Sequence, residues 1–374
     1  IHYMVTEAGI SAAQILMITF TKAAADEMNK RYVSMYGDNP GVTFATIHSL
    51  CFSIVKKYGK KNVSVLSDIE IYNYFNYRVK YLDQINDKDN FVADVILDIS
   101  VMKNNMISLS DYEPACTDNK ELFASLYTGY EKYKEKESKV DFDDMLVMAK
   151  DILDNEPEVL LYLKNRYSYI QVDEYQDTNY IQEQIVFLLG AKHHNICVVG
   201  DDDQGLYRFR GATIRNILEF PGHFAEGECK QVKLVTNYRS ERQIIDFYNK
   251  WMSTTDGRAY DFMWKNFRFE KKIVPPEGKK DAKVGVIKCS GKDLLDDWYE
   301  QVYSFITQLK SSGVLTDYNQ IAVLCKSVKG DKIIGMVEYL EEHGIKVYSP
   351  RSEMFFERKE IKQVIGCMIL CFPE

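Results

Sequence analysis

The sequence has no long apolar stretch and no excess of positive charge, which excludes two classes of protein. None of its 374 residues falls in an apolar run of ~18 residues, the length that a membrane-spanning helix needs. The formal net charge is −8, so a uniformly basic nucleic-acid coat is excluded, although a local basic groove is not. The composition is typical of a globular protein, and the length predicts two or three domains.

Paired cysteine motifs are also missing. The eight cysteines form no CxxC and no CxxH pattern, which argues against a zinc site or a disulfide framework. Cys197 falls in an apolar strand pattern, and Cys367 and Cys371 fall on one apolar helix. We therefore expect free, mostly buried thiols and a location in the reducing cytoplasm.

The chain alternates between short apolar runs and helical segments. Ile15 to Phe20 predicts a strand, Thr21 can cap the helix that follows, and a second strand–helix pair runs from Val42 to about Tyr58. This alternation predicts a doubly wound α/β fold. Residues 60–140 interrupt it with helical spacing and predict a helical insertion. Further strands are predicted in YIQV (169–172), NICVVG (195–200), QVKLVTNYRS (231–240), AKVGVIKCS (282–290) and QIAVLCKS (320–327).

Acidic residues follow two of these predicted strands. Asp173 and Glu174 follow the first, with Asp177 close behind, and three consecutive aspartates follow the second, before Gln204. In open α/β sheets, ligands bind beyond the carboxyl ends of the strands. A carboxylate there commonly holds Mg²⁺, and a second carboxylate beside it can orient or deprotonate a water. The pattern indicates a nucleotide-hydrolysing site, but solvated or helix-capping acids produce the same pattern.

Segments along nearly the whole chain resemble, in family order, the motifs of the UvrD/Rep/PcrA family of superfamily 1 DNA helicases. The matching segments are TFTKAAADEM (motif Ia), TIHSL (motif Ib), DFDDML, VDEYQDTN (motif II), GDDDQGLYRFRGA (motif III), NYRS (motif IV) and FFERKEIK. The resemblance implies RecA-like doubly wound parallel sheets, the motor domains of a P-loop NTPase, with a helical insertion. It divides the chain into a first motor domain (1–59 and 141–230), the insertion (60–140) and the first part of a second motor domain (231–374).

The same resemblance implies roles at an ATP site. Asp173 would hold the Mg²⁺ ion of ATP, Glu174 would activate the hydrolytic water, and Gln204 would sense the γ-phosphate. Arg239 would act as an arginine finger, a kind of residue that contributes about 10³ to 10⁵ in rate. Tyr238 would stack near the adenine. A surface salt bridge for Arg239 and ordinary packing for Tyr238 are the alternative interpretations.

Residues that match motifs Ia, Ib and III would bind single-stranded DNA. Aromatic side chains stack on bases at roughly 1–3 kcal/mol per base without reading sequence, so an acidic protein can still bind DNA. Arg210 would lie between DNA and nucleotide and couple the two. Duplex junctions and repair or replication proteins are the further partners that the resemblance implies. Core packing or helix capping is the alternative for the DNA-site residues. The expected DNA-binding residues are Phe20, Thr21, His48, Tyr207 and Phe209.

The sequence contains no GxxxxGK[ST], the loop that holds the phosphates of ATP in such enzymes. In the family this loop would precede Ile1, and motifs V and VI would follow the last residue. We therefore expect the chain to be the middle of a longer protein, an ATP-dependent 3′→5′ DNA helicase of DNA repair or replication. Alone, it is expected to hydrolyse ATP poorly or not at all.

Two other functions remain open at this point. One is a non-catalytic DNA-binding or regulatory module on a helicase scaffold, although such a module has no need of the DEYQD segment, Gln204 and Arg239. The other is a metal-dependent nuclease that uses the same acids. A nuclease would need acids and a Lys or His that converge on DNA, and no such cluster follows the predicted strands.

Overall fold

The computed structural model of the chain divides into two compact units, which comprise residues Ile1–Lys280 and Asp281–Glu374. Within the described ranges, no helix combines the length and the apolarity that crossing a lipid bilayer requires. The structure describes residues 1–59, 62–82, 84–206, 212–253, 269–278, 297–325, 328, 330–348 and 359–371.

The described residues form fourteen helices and six strands. The helices are α1 (His2–Thr6), α2 (Lys22–Tyr36), α3 (Ile47–Tyr58), α4 (Asp68–Val79), α5 (Lys88–Asn104), α6 (Lys120–Glu137), α7 (Phe142–Asn155), α8 (Pro157–Arg166), α9 (Tyr180–Gly190), α10 (Arg215–Glu219), α11 (Arg242–Ser253), α12 (Asp297–Ser311), α13 (Asp331–Glu342) and α14 (Lys359–Cys371). The strands are β1 (Ile15–Thr19), β2 (Thr43–Thr46), β3 (Ser64–Val65), β4 (Lys139–Val140), β5 (Tyr169–Val172) and β6 (Ile196–Val198).

A parallel sheet of four strands, in the order β2-β1-β5-β6, organises the first unit. Every neighbouring pair in it is parallel, and helices connect the strands, as a doubly wound α/β fold requires. The main core lies between this sheet and helices α3, α7 and α9, with fully buried residues such as Leu16, Val55, Leu146 and Ile185. The predicted α/β class is confirmed.

The helices that follow the first two strands each begin at a threonine cap, as the sequence predicts for Thr21. β1 ends at Thr19, one residue before the predicted end, and the Thr21 hydroxyl then accepts a hydrogen bond of 3.1 Å from the Ala24 N–H. Thr46 caps α3 in the same way, and its own backbone N–H donates to the Ser49 hydroxyl. Both helices therefore begin directly after the carboxyl end of a strand.

Some predictions for strands and cysteines were wrong. The continuous apolar run NICVVG predicts a strand buried on both faces, but β6 is at the edge of the sheet, because no further strand pairs with it among the described residues. Cys197 is therefore exposed, and of the described cysteines only Cys51 is buried. Residues 231–240 and 320–325 are not strands, because their only ladder contact in the described chain is the isolated bridge between Thr236 and Val274. The strand predicted at 282–290 lies outside the described residues.

The segment predicted as a helical insertion contains helices α4, α5 and α6 around a core of its own. Phe75, Val95 and Tyr130 are almost fully buried in that core. The chain leaves and returns through the short parallel pair β3–β4, in which Ser64 pairs with Lys139. The insertion therefore has a compact interior and a defined point of attachment.

A buried ionic cluster joins the insertion to α7. Lys134 Nζ lies 2.9 Å from Asp141 Oδ2 and 2.6 Å from Asp144 Oδ2, and Lys103 Nζ lies 2.6 Å from Asp144 Oδ1. Burial alone would raise the pKa of Asp141, but Lys103 and Lys134 hold it below its usual range. Asp141 also caps α7 by accepting the Asp144 N–H. Asp141 and Asp144 of the DFDDML segment therefore bind the insertion to the start of α7.

In the second unit, α12 and α13 pack around a smaller core. Its buried residues are Ile306, Leu315, Met336, Leu340 and Ile345.

We expect Lys134→Met to destabilise the protein by about 3–5 kcal/mol, because it leaves Asp141 and Asp144 buried beside a single remaining lysine. Urea unfolding of the chain measures this. Lys136→Met is the matched control, since the Lys136 side chain is on the same helix but 83% exposed. Equal stability of the two variants would contradict the structural role assigned to the cluster.

Candidate functional site

The carboxyl ends of the four parallel strands carry most of the described candidate residues. Because the strands are parallel, these ends meet at one edge of the sheet. Of the described candidates at this edge, those assigned to DNA follow the neighbouring strands β2 and β1, whereas those assigned to the nucleotide follow β5 and β6. The order along this edge is His48 after β2, Phe20 and Thr21 after β1, Asp173 and Glu174 after β5, and Gln204 after β6.

Asp173 and Glu174 are placed differently although they are adjacent. Asp173 is half-buried, and its backbone N–H donates to the Ile18 carbonyl at 2.9 Å. Burial, and then the neighbouring Glu174, raise the pKa of Asp173. Glu174 is exposed and has a left-handed backbone, with φ at +53°. Such a conformation costs about 1–3 kcal/mol in a non-glycine residue, and it turns the chain into the short 3₁₀ helix Tyr175–Asp177.

Gln176 contacts both acidic strand ends and had no role in the sequence-based prediction. Its side chain is almost fully buried. Its Nε2 donates to Glu174 Oε2 at 2.7 Å, and its Oε1 accepts the backbone N–H of Asp201 at 3.0 Å. The only sequence signal was its place within the DEYQD segment.

Asp177 is the least compensated acid of this segment. It is 7% exposed, and its Oδ1 atom has no hydrogen-bond partner among the described residues. Burial, and then Glu174, raise the pKa of Asp177 to about 6. The buried hydroxyl of Thr19, at the end of β1, likewise has no partner there.

The three aspartates after β6 are compensated by a lysine from a distant part of the chain. Lys271 Nζ contacts the carboxylates of Asp201 and Asp202 and lies 3.3 Å from Asp203 Oδ2. Asp202 also accepts the Phe269 N–H at 3.0 Å. Burial would raise the pKa of Asp201, but the bonds from Lys271 and Gln204 outweigh it and lower that pKa. Sequence reasoning missed Lys271, because nothing in its local sequence shows that it meets acids about seventy residues away.

Gln204 lies in the 3₁₀ turn Asp202–Gln204 and is exposed. Its Nε2 donates to Asp201 Oδ2 at 2.7 Å, and its backbone N–H donates to the Asp201 carbonyl. The side chain of Asp201 thus binds Gln204, and the backbone N–H of Asp201 binds Gln176. The structure therefore connects Glu174 to Gln204 through these two intermediate residues.

The candidate DNA residues have mixed environments. His48 is the second residue of α3, and its ring lies edge-on to Phe142 at 5.9 Å. Burial lowers the pKa of His48 to about 4, so its ring is neutral at pH 7. Thr21 is exposed but uses its hydroxyl as the cap of α2, and Phe20 is half-buried. The other residues predicted in this region, Tyr207, Phe209 and Arg210, lie outside the described residues.

Tyr238 and Arg239 are both exposed, and the Tyr238 side chain is 77% exposed. They follow Asn237, whose Oδ1 accepts the backbone N–H of Arg239 at 2.9 Å. No hydrogen bond or ion pair in the described residues joins Arg239 to Asp173 or Glu174. Their roles at the nucleotide therefore stay predictions.

The described residues fit a partial site for a divalent cation. Mg²⁺ is usually held by one or two carboxylates, several waters and the phosphates of the substrate, not by a cage of side chains. Consistent with this, no group of three or more His, Cys, Asp or Glu in the described chain forms a complete metal site. Asp173 lies at the strand end, and the unpartnered oxygens of Asp177 and Thr19 are also at this end of the sheet.

Comparison with known proteins matches both parts of the chain to helicase domains. Residues 1–225 match the UvrD/REP helicase N-terminal domain, and residues 232–372 match the UvrD-like helicase C-terminal domain. The relatives include two proteins named ATP-dependent DNA helicase PcrA, from Staphylococcus aureus (strain Mu50) and Staphylococcus epidermidis (strain RP62A). Each is 30% identical over 377 residues, covering 98% of this chain and 48% of the relative. The chain thus spans about half the length of these relatives.

Replacing Lys271 by Met is expected to destabilise the protein by about 3 kcal/mol, because Asp202 would then be buried without a cation. Urea unfolding provides the measurement. Lys272→Met is the matched control, since Lys272 is adjacent and exposed. If both variants unfold at the same urea concentration, Lys271 does not compensate the aspartates in solution.

Asp177→Asn is expected to change how stability depends on pH. The folded protein binds the Asp177 proton more tightly than the unfolded chain, where a carboxyl titrates at about 3.9. The stability that this proton contributes is therefore lost as pH rises from about 4 to about 6. Relative to wild type, the Asn variant should gain stability across that window. The control is Asp118→Asn at an exposed position. A difference from wild type that is constant with pH would show that Asp177 is not perturbed.

Proposed function

The chain belongs to the UvrD/REP helicase family, and from this membership we propose that it is the motor part of an ATP-dependent DNA helicase. The RecA-like α/β fold agrees with that assignment. The observation that carries the proposal is the link between the ends of β5 and β6, through which Glu174 and Gln204 are held by one hydrogen-bonded network. A simple binding module has no need for a base and a phosphate sensor held in this way.

For ATP hydrolysis, Asp173 would hold Mg²⁺, with Asp177 close behind it at the same strand end. When bound, Mg²⁺ supplies positive charge that offsets the phosphates of ATP. Glu174 would orient the attacking water and accept its proton, and its exposure leaves the carboxylate open to solvent. Gln204 would contact the γ-phosphate. Arg239, Tyr238 and Arg210 complete the proposed site as arginine finger, adenine contact and coupling residue.

For DNA, we propose that a single strand passes over the ends of β2 and β1. Phe20 and the neutral ring of His48 offer surfaces on which bases can stack, and Thr21 opens a helix whose N-terminus favours phosphate. Tyr207 and Phe209 belong to the same proposal. A 3′→5′ direction, duplex junctions as substrates, and a cytoplasmic role in repair or replication rest on the family resemblance.

The domain boundaries are part of the proposal. The first motor domain comprises residues 1–59 and 141–230, the insertion residues 60–140, and the start of the second motor domain residues 231–374. The separate core of the insertion and the β3–β4 pair at its base support the first division. The change of matching domain between residues 225 and 232 supports the second.

In the full-length protein that contains this chain, Glu174→Gln is expected to abolish ATP hydrolysis and to leave nucleotide binding intact, because it removes the proton acceptor without changing shape. Steady-state hydrolysis with single-stranded DNA and fluorescence titration with a labelled nucleotide test this. Glu158→Gln, at an exposed position on α8, is the control. Hydrolysis or unwinding that survives Glu174→Gln would overturn the assignment of the base.

The 374-residue chain by itself is expected to show no ATP turnover above background, because it contains no GxxxxGK[ST] loop to hold the phosphates. The same hydrolysis assay with single-stranded DNA measures this. The full-length protein is the positive control. Robust turnover by the 374 residues would show that they bind phosphates in another way.

A further inference from the structure

Glu174 has a backbone that is held on both sides. The N–H of the preceding residue, Asp173, donates to the Ile18 carbonyl at 2.9 Å, and the N–H of the following residue, Tyr175, donates to the Val199 carbonyl at 3.0 Å. Together with its left-handed conformation, these bonds fix where the side chain of Glu174 starts. These backbone bonds do not fix the orientation of the Glu174 carboxylate.

The Gln176 side chain restrains that carboxylate. Its amide has one orientation that satisfies both partners, because Nε2 donates to Glu174 Oε2 at 2.7 Å while Oε1 accepts the Asp201 N–H at 3.0 Å. If the amide were flipped, its oxygen would face the Glu174 carboxylate and its NH₂ group would face the Asp201 N–H, so neither hydrogen bond could form. The side chain is only 2% exposed, so water competes little for either bond.

The backbone just after β6 lies close to this side chain. A Cβ atom on Gly200 would lie 2.5 Å from Gln176 Oε1 and 2.7 Å from Ile217 Cδ1, so the ends of both side chains would have to shift. Glycine therefore allows the segment after β6 to approach the glutamine without moving its side chain. From there, Asp201 Oδ2 accepts Gln204 Nε2 at 2.7 Å.

We propose that Gln176 is a positioning residue, which orients the Glu174 carboxylate and ties it to the Asp201–Gln204 turn. This inference rests on the proposed function, in which Glu174 activates water and Gln204 contacts the γ-phosphate. Gln176 touches neither water nor nucleotide in that scheme. Gln176 sets the distance between Glu174, which activates the water, and Gln204, which contacts the γ-phosphate.

The test compares variants of the full-length protein. Gln176→Met keeps the size of the side chain and loses both bonds, whereas Gln176→Glu keeps the acceptor for Asp201 and loses the donor to Glu174. Both are expected to lower kcat by about 10²-fold, the effect of misplacing a reacting group by about 1 Å. The dissociation constant of the nucleotide, measured by fluorescence titration, is expected to stay unchanged.

Gln182→Met is the matched control. Gln182 is equally buried and caps α9 through the Asn179 N–H, without contact to Glu174. It is expected to lower the melting temperature and to leave kcat unchanged. If Gln176 had a merely structural role, its variants would behave like this control, or they would lose kcat, nucleotide affinity and melting temperature together. Either result overturns the inference.

Three further outcomes are decisive. Wild-type kcat in Gln176→Glu would show that the bond to Glu174 is dispensable and would overturn the inference. If Glu174→Gln abolishes hydrolysis while the Gln176 variants are fully active, this inference fails and the proposed function stands. Hydrolysis that survives Glu174→Gln would instead refute the proposed function itself.

Discussion

The parallel alignment of four strands decides which residues meet in this protein. β2, β1, β5 and β6 lie side by side in that order, although β1 and β5 are separated along the chain by the whole insertion. Parallel strands end together, so side chains from four distant segments reach one edge. The same order separates Phe20, Thr21 and His48, proposed for DNA, from Asp173, Glu174 and Gln204, proposed for nucleotide. The two sets are nevertheless neighbours, since β1 and β5 pair directly.

Acids at the end of a buried sheet must be compensated, and the protein does this in two ways. Lys271 supplies a positive charge to the aspartates after β6. Gln176 supplies a hydrogen bond to Glu174. Asp177 has neither a cation nor, at Oδ1, a hydrogen-bond donor in the described chain, and the pKa of its carboxyl is raised to about 6. The least compensated acid is thus Asp177 on the β5 side, where the proposed cation would bind, while Lys271 offsets part of the negative charge on the β6 side.

The insertion is attached by charges and not by apolar contact alone. Lys103 and Lys134, from two of its helices, meet Asp141 and Asp144 at the start of α7. A buried ionic cluster of this kind adds little net stability compared with an apolar one, but it accepts few alternative geometries. We interpret it as a joint that specifies how α5 and α6 meet the helix leading towards β5.

The sequence alone determined the elements and the residue types of the site. The apolar run before Asp173 predicts β5, Thr21 predicts the start of α2, and the order of the motifs predicts the family, because these signals are local and survive in a single segment. Local signals failed where a partner was needed. Cys197 is exposed because β6 is at the edge of the sheet that the described residues form, and residues 231–240 form no strand because the bridge at Thr236 is their only ladder contact in that part of the chain. Only the tertiary structure showed that Lys271 binds the aspartates after β6 and that Gln176 joins Glu174 to Asp201. Charge compensation and hydrogen bonding act through space, so no spacing along the chain records them.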